Sequence, residues 1–312
     1  MINPMTSIDP NLIPEPSHQP TESFESYRPL MFSIAYRMLG SAMDAEDIVQ
    51  EAYLRYQRTP ADSIQSPRAW LSTVITRLCL NQLESARVQR EQYIGPWLPE
   101  PILTNGDASA AFTVAPVSPA QQFNALESIS LAFLVLLESL TPVERAVFLL
   151  REVFDYDYEE IAAMVGKSEP ACRQLFSRAK KHIAEHRPRF KSSPEEHRRL
   201  VTQFIEAVQN GELENLTHLL AEEVTLWSDG GGKVFAALTP LKGNALVARF
   251  LLGTRKLAPN MAKPEITDIN GAAGVILRNA DGKAFVVITA EVDQGVICAL
   301  RVVGNPDKLH NL

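Results

Sequence analysis

Cysteine is scarce and scattered. Three thiols occur in 312 residues, Cys79, Cys172 and Cys298, with no CxxC pair and no zinc-ligand spacing. That excludes a disulfide framework and a structural zinc, and each thiol reads as a buried group in a reducing compartment. Long apolar runs are missing as well. None reaches the roughly 18 residues that a bilayer span needs, and the N-terminus has no basic-then-apolar leader. A cytoplasmic protein without membrane contact is the expectation. There is no overall basic excess: the net charge is −7, which argues against a general nucleic-acid coat protein. Histidine is sparse in the last third, with only His197, His218 and His310. No His–Asp pair converges there, so no catalytic residue, metal or cofactor is assigned.

The basic residues that are present cluster. Eight Lys or Arg and two Glu lie between Lys167 and Lys191, a local excess of +6 on an acidic chain. Such a patch reads either as a DNA contact or as a solvated helix face. Around it the chain divides by composition. Residues 1–22 hold five prolines and read as a disordered tail. Residues 23–94 are helical in pattern. Residues 95–125 form a linker, with five prolines and two glycines by position 122 and no sustained period. Residues 126–188 are helical again. From Glu195 to residue 312 a helical stretch gives way to alternating segments (VTLW, KVFAAL, GVILR, AFVVITAEV, GVICALRVV) separated by DGGG, NADG and DQG turns. That pattern predicts an α+β domain with a mostly antiparallel sheet.

The most specific local pattern runs from Asp157 to Ile183. Asp157 and Glu160 form a capping box, Gly166 ends the first helix, and Ser168 with Pro170 opens a second. On that second helix Cys172, Leu175, Phe176, Ala179 and Ile183 keep helical spacing and face a core. Arg173, Gln174, Ser177, Arg178, Lys180 and Lys181 take the other face. Two helices joined by a tight glycine turn, the second basic outside, make a helix-turn-helix whose Arg and Gln reach base edges and whose Lys meet phosphates. An ordinary helical hairpin is the alternative. In the first helical part, Asp44 caps a helix with Ile48, Ala52 and Tyr56 on one stripe and Asp47, Gln50, Glu51 and Arg55 on the other. A later helix from about Arg68 to Val88 carries Trp70, Arg77 and Asn81, with Arg87 near its end. Trp70 reads either as core or as a platform for an unstacked base.

FSIAYRMLGSAMDAEDIVQEAYLRY, RAWLSTVITRLCLNQL and LTPVERAVFLLREVFDYDYEEIAAMVGKSEPACRQLFSRAKKHI together resemble the extracytoplasmic-function (ECF) RNA polymerase sigma factors over residues 24–186. WLPEP (97–101), DGGGK (229–233) and NPDKL (305–309) narrow the resemblance to the group with a fused C-terminal SnoaL-like domain. The resemblance implies two all-α sigma domains, the second a helix-turn-helix, followed by a SnoaL-like α+β cone. Its implied partners are promoter DNA and core polymerase, through the β′ clamp helices and the β flap. Asp47, Gln50 and Glu51 would dock the clamp helices. The loop at 60–67 with Trp70, Arg77, Asn81 and Arg87 would read the −10 element, and Arg173, Gln174, Ser177, Arg178 and Lys181 the −35 element. Asn81, Gln82 and Glu84 stand where relatives more often carry Asp, Arg and Arg, which leaves that helix less basic than the pattern.

The alternative for the whole chain is a DNA-binding transcription regulator whose C-terminal domain binds or converts a small molecule. For that domain itself, regulation of the sigma domains in cis, an unknown small ligand and a purely structural role all stand. Trp97 with the stiffening Pro99, and Glu100, offer a docking segment. Asp229 and Lys233, and Asn305, Asp307 and Lys308, sit in turn sequences that could receive it. For Asp229, heading three glycines, a plain turn role is the other reading.

Overall fold

The computed structural model describes residues 20–105, 128–186, 192–255 and 264–312, without the side chains at 20–23 and 86–91. Most of the expected tail and linker, and the Arg87 side chain, lie outside the described residues.

Helix α1 (Pro20–Leu39) is ended by Gly40 at φ 69°. Ser41 then caps α2 (Ala42–Arg58), its hydroxyl accepting the Asp44 N–H at 3.1 Å. The cap is thus Ser41 rather than Asp44, which lies inside the first turn. Helix α3 (Pro67–Glu91) follows an exposed loop and completes a three-helix unit over Met31, Ile34, Ile48, Ala52, Leu71 and Ile75.

The second helical unit holds α4 (Leu131–Leu137), α5 (Pro142–Glu152), α6 (Tyr158–Val165) and α7 (Glu169–His186). Its turn chemistry is the expected one. Asp157 and Glu160 form the capping box and Gly166 takes the left-handed conformation at φ 67°.

Helices α8 (Pro194–Asn210) and α9 (Leu213–Leu219) lead into the sheet. Its strands are β1 (Leu220–Asp229), β2 (Leu241–Lys242), β3 (Glu265–Ile269), β4 (Ala272–Arg278), β5 (Ala284–Asp293) and β6 (Val296–Val303), with α10 (Asn244–Arg255) between β2 and β3. The spatial order is β2-β1-β6-β5-β4-β3, antiparallel except where β1 lies parallel to β6. KVFAAL, expected as a strand, is a turn and irregular chain. It follows three glycines, two of them at positive φ, and its Phe235 and Leu238 are exposed, so neither sheet pairing nor a buried face holds it. Side chains alternate across the pleat. Leu226, Val275, Ile288 and Leu300 face α8 and α10 and build the interior of the cone. Trp227, Ile276, Val287 and Val303 face the opposite way and join the core of the two helical units.

One apolar cluster therefore runs through all three parts. The linker is sewn into it. Leu103 bridges Ile269, and Thr104 donates its backbone N–H to the Asp268 carbonyl at 2.9 Å, so the chain at 102–104 extends the β3 edge. The WLPEP end of the linker is ordered because its apolar residues have a sheet face to cover and its backbone a free edge to pair with.

Candidate functional site

The outward face of α7 carries Arg173, Gln174, Ser177, Arg178 and Lys181, all exposed, over buried Cys172, Ala179 and Ile183. Burial pushes the Cys172 thiol pKa up, which suits a packing role. Phe176 locks the helix against Phe148 and Tyr158, with ring centroids 6.2 and 6.0 Å away. The basic groups rest against acidic neighbours: Arg173 on Glu169, Arg178 on Glu144 at 3.8 Å and Lys181 on Glu185 at 3.9 Å. Arg173 also lies 4.4 Å from the Tyr158 ring centre. Exposed pairs of this kind are worth about 0–1 kcal/mol, so an incoming phosphate or base edge can displace them.

Helix α2 buries Ala45, Ile48, Val49, Ala52 and Tyr56 and presents Asp47, Gln50 and Glu51 to solvent. Met43 and Leu54 lie on the same stripe and are 49% and 38% exposed. Two large apolar side chains flanking a polar centre give this face the make-up of a protein-docking surface.

Helix α3 behaves differently. Trp70 is half-buried, 5.9 Å from the Tyr56 ring, and packs on the core. Arg77 donates to the Ala163 carbonyl at 2.8 Å and the Met164 carbonyl at 3.2 Å, in the last turn of α6. A cation at a helix C-terminus is favoured by both the free carbonyls and the helix dipole. Nearby the Ser72 and Tyr156 hydroxyls share a buried hydrogen bond at 2.6 Å. In this arrangement Arg77 is turned to the second helical unit and is not free for DNA. Asn81 is exposed, and so is most of the loop at 60–67.

The three short motifs converge. Asp229 is fully buried, and its two oxygens accept from four donors: Tyr93 Oη at 2.5 Å, the Gly231 N–H at 3.1 Å, the Leu98 N–H at 2.9 Å and Lys308 Nζ at 2.7 Å. Lys308 also donates to the Leu98 carbonyl at 2.5 Å and lies 4.3 Å from the Trp97 ring centre. Burial and the neighbouring carboxylate push the Tyr93 hydroxyl pKa well up, so it stays a donor. Asn305 donates to Tyr93 Oη at 2.8 Å, and Lys233 pairs with Asp307 at 2.5 Å on the rim. Trp97 packs over the α1–α2 turn, where a Cβ on Gly40 would meet its ring at 2.9 Å. Pro99 packs at the same turn. Glu100 reaches further: one oxygen accepts the Ala42 and Met43 N–H groups at 2.8 and 3.1 Å, and the other accepts from Asn311 at 3.2 Å. A linker carboxylate therefore caps the N-terminus of α2.

Sequence reasoning missed Tyr93 and Asn270. Asn270, at φ 52° and buried, donates to Tyr36 Oη and to the Ile129 carbonyl, both at 2.7 Å, and accepts from the Ile102 N–H at 3.0 Å. One carboxamide thus joins both helical units and the linker. The only signal for it was an Asn-Gly dipeptide, which reads as a hairpin turn.

Comparison with known proteins fits this geometry. Residues 23–88 match Sigma-70 region 2 and residues 130–183 match Sigma-70, region 4. Over 294 residues the chain is 38% identical to the ECF RNA polymerase sigma factor SigJ of Mycobacterium tuberculosis (strain ATCC 25618 / H37Rv), covering 91% of each. The chain belongs to the ECF RNA polymerase sigma factors. It is an alternative sigma factor that binds core RNA polymerase and directs transcription initiation at promoters. The crystal structure of Mycobacterium tuberculosis SigJ matches with a TM-score of 0.71 at 34% identity, over 93% of this chain and 98% of that one, so the fused α+β domain is shared. The probable ECF sigma factor SigI of Mycobacterium tuberculosis (strain CDC 1551 / Oshkosh) is 39% identical over 206 residues, 65% of this sigma factor and 68% of SigI. No helix among the described residues is long and apolar enough to cross a membrane.

Proposed function

We propose that the C-terminal cone holds this sigma factor in a closed state by clamping the linker, and that release of the clamp lets the two DNA-reading units separate. The observation that carries this is the buried Asp229–Lys308 pair closing over Trp97 and Leu98, with Glu100 of the same segment capping α2. The −10 and −35 elements are about 25 base pairs apart, roughly 85 Å of duplex at 3.4 Å per pair. In the closed state Arg77 of the −10 helix lies 2.8 Å from Ala163 of the helix-turn-helix. The closed state cannot read both elements at once. Because the cone is tethered, its contact with the linker forms at an effective concentration of order millimolar, and modest contacts hold it.

In this reading region 2 spans 23–94, the linker 95–125, region 4 126–188 and the cone 195–312, working in the cytosol beside polymerase. Asp47, Gln50 and Glu51 dock the β′ clamp helices, with Met43 and Leu54 as the apolar rim of the contact, and region 4 meets the β flap. Arg173, Gln174, Ser177, Arg178 and Lys181 meet the −35 element. Trp70, Arg77, Asn81 and Arg87 serve the −10 element after opening. Asp229 already accepts from four protein donors, so it is a clasp rather than an acid or base, and the cone turns over no substrate.

The test is run-off transcription with core enzyme at limiting sigma. Lys308→Ala, or removal of 305–312, should raise promoter output. Removal from residue 195 should lower it, because the linker then loses the sheet it packs on. Output unchanged by Trp97→Ala, by loss of 305–312 and by loss of the whole cone would rule the mechanism out.

A further inference from the structure

The cone holds a pocket of about 320 Å³, partly open to solvent, within the size range of small-molecule sites. Its walls are apolar. Leu277, Val286, Ile288 and Val302 of the sheet face Val208 of α8 and Phe250 of α10. Such walls offer enclosed water too few partners to hold it well. Phe235, 70% exposed, stacks on Phe250 at 6.1 Å and continues the apolar surface outward.

The polar groups at this cavity are few and unequal. Asp229 borders it, yet its acceptor positions are filled by Tyr93, Gly231, Leu98 and Lys308. It has nothing left for a ligand cation, and it would repel a ligand anion placed beside it. Arg255, the last residue of α10, also lines the cavity, and its guanidinium meets no carboxylate among the described residues. The chain from 256 to 263 reads KLAPNMAK, with two lysines and no acidic residue, so it brings no counter-charge either. Among the described residues, an apolar chamber with one available cation and one saturated carboxylate selects for an apolar body with a single negative group.

We propose that the cone binds an amphiphilic monocarboxylate, a hydrocarbon chain or ring system bearing one carboxylate, with the head on Arg255 and the body in the chamber. The site also reaches the clamp. Gly304 and Pro306 line the cavity on either side of Asn305, and the Asp229 carbonyl accepts the Gly304 and Asn305 N–H groups at 2.8 and 3.0 Å. An occupant of the chamber bears on the same turn that carries Asn305 and Lys308, so binding shifts the closed state. This last step rests on the clamp mechanism above; the site itself does not.

Decanoate, below its micellar concentration, is a suitable probe, titrated calorimetrically into the full chain with decan-1-ol as the uncharged control. Saturable binding of one decanoate per chain is expected. Arg255→Ala should weaken it about tenfold, as should replacing the acid by the alcohol, since a charge-assisted hydrogen bond supplies that order of free energy. Arg255→Lys should retain most of the affinity. Thr254→Phe should abolish binding by filling the chamber, because Thr254 lines it and its hydroxyl bonds only the Leu251 carbonyl of its own helix. The absence of saturable binding by the folded wild-type chain would overturn the site. So would binding indifferent to both Arg255→Ala and Thr254→Phe. In run-off transcription decanoate should change the output of the wild type and not of Thr254→Phe. An equal response from both, with the binding pattern intact, overturns the coupling. If decanoate binds as expected but the clamp variants leave transcription unchanged, the clamp mechanism fails and the site stands.

Discussion

The two helices proposed to read DNA in this sigma factor face different surroundings. On α7 every candidate base or phosphate contact points to solvent, and its cations Arg173, Arg178 and Lys181 rest on Glu169, Glu144 and Glu185. On α3 the candidate arginine with a described side chain, Arg77, is fixed to carbonyls of the other unit, and Trp70 is packed into the core. The proposed −35 face is exposed in this arrangement, and the proposed −10 face is partly occupied. Under the proposed mechanism closure would restrain the step that engages the −10 element and leave duplex contact at −35 possible.

The largest effect on this asymmetry should come from Asp229→Ala. It leaves the mostly buried Lys308 ammonium without its counter-ion and the Leu98 N–H without its acceptor. Breaking a buried pair costs about 3–5 kcal/mol, read as a lower urea midpoint, and the freed Arg77 should raise affinity for single-stranded −10 DNA. A loss below about 1 kcal/mol would mean that the pair is not the clasp.

Next comes Arg77→Ala, which removes two charge-assisted hydrogen bonds worth about 1.5–3 kcal/mol from the contact between the units. Solution scattering should show a larger radius of gyration for the variant. An unchanged radius would place Arg77 on the DNA side alone. Arg173→Ala is expected to cost about 1–3 kcal/mol at a single −35 base pair, whereas Lys181→Ala should weaken all sequences alike and lower the salt slope by about one. Identical footprints for the two variants would undo the division of α7 into base and phosphate contacts. The smallest effect belongs to α2. Asp47→Ala with Glu51→Ala should weaken core binding by a little over 1 kcal/mol in a pull-down titration and leave the fold intact.

What the sequence revealed depends on how local each pattern is. The helix-turn-helix was legible down to its caps, because Asp157, Glu160, Gly166 and Ser168 act within a few residues of themselves. The face of α2 was legible from periodicity. WLPEP, DGGGK and NPDKL stood out through the family resemblance, and their residues read locally only as a tryptophan that wants a surface and two turns. The bonds that join them were not legible, because Leu98 and Lys308 are 210 residues apart and no spacing rule links them. Asn270 hid inside an ordinary hairpin turn, and Glu100 gave no sign that it would cap a helix begun 58 residues earlier. Strand β2 and helix α10 were also missed. The first is two residues long, and the second carries apolar groups on several sides.

The cap that Glu100 places on α2 is made early in translation, but Lys308, which fixes the segment carrying it, is made 210 residues after Leu98. At roughly 5–20 residues per second, about 10–40 s of synthesis separates them. Throughout that interval the nascent chain carries the helix proposed to dock polymerase and then the helix-turn-helix, without the proposed clasp. A chain still on the ribosome thus lacks both the proposed restraint and the sheet that its linker packs on, so under the clamp mechanism the age of each molecule becomes a variable in how it competes for polymerase.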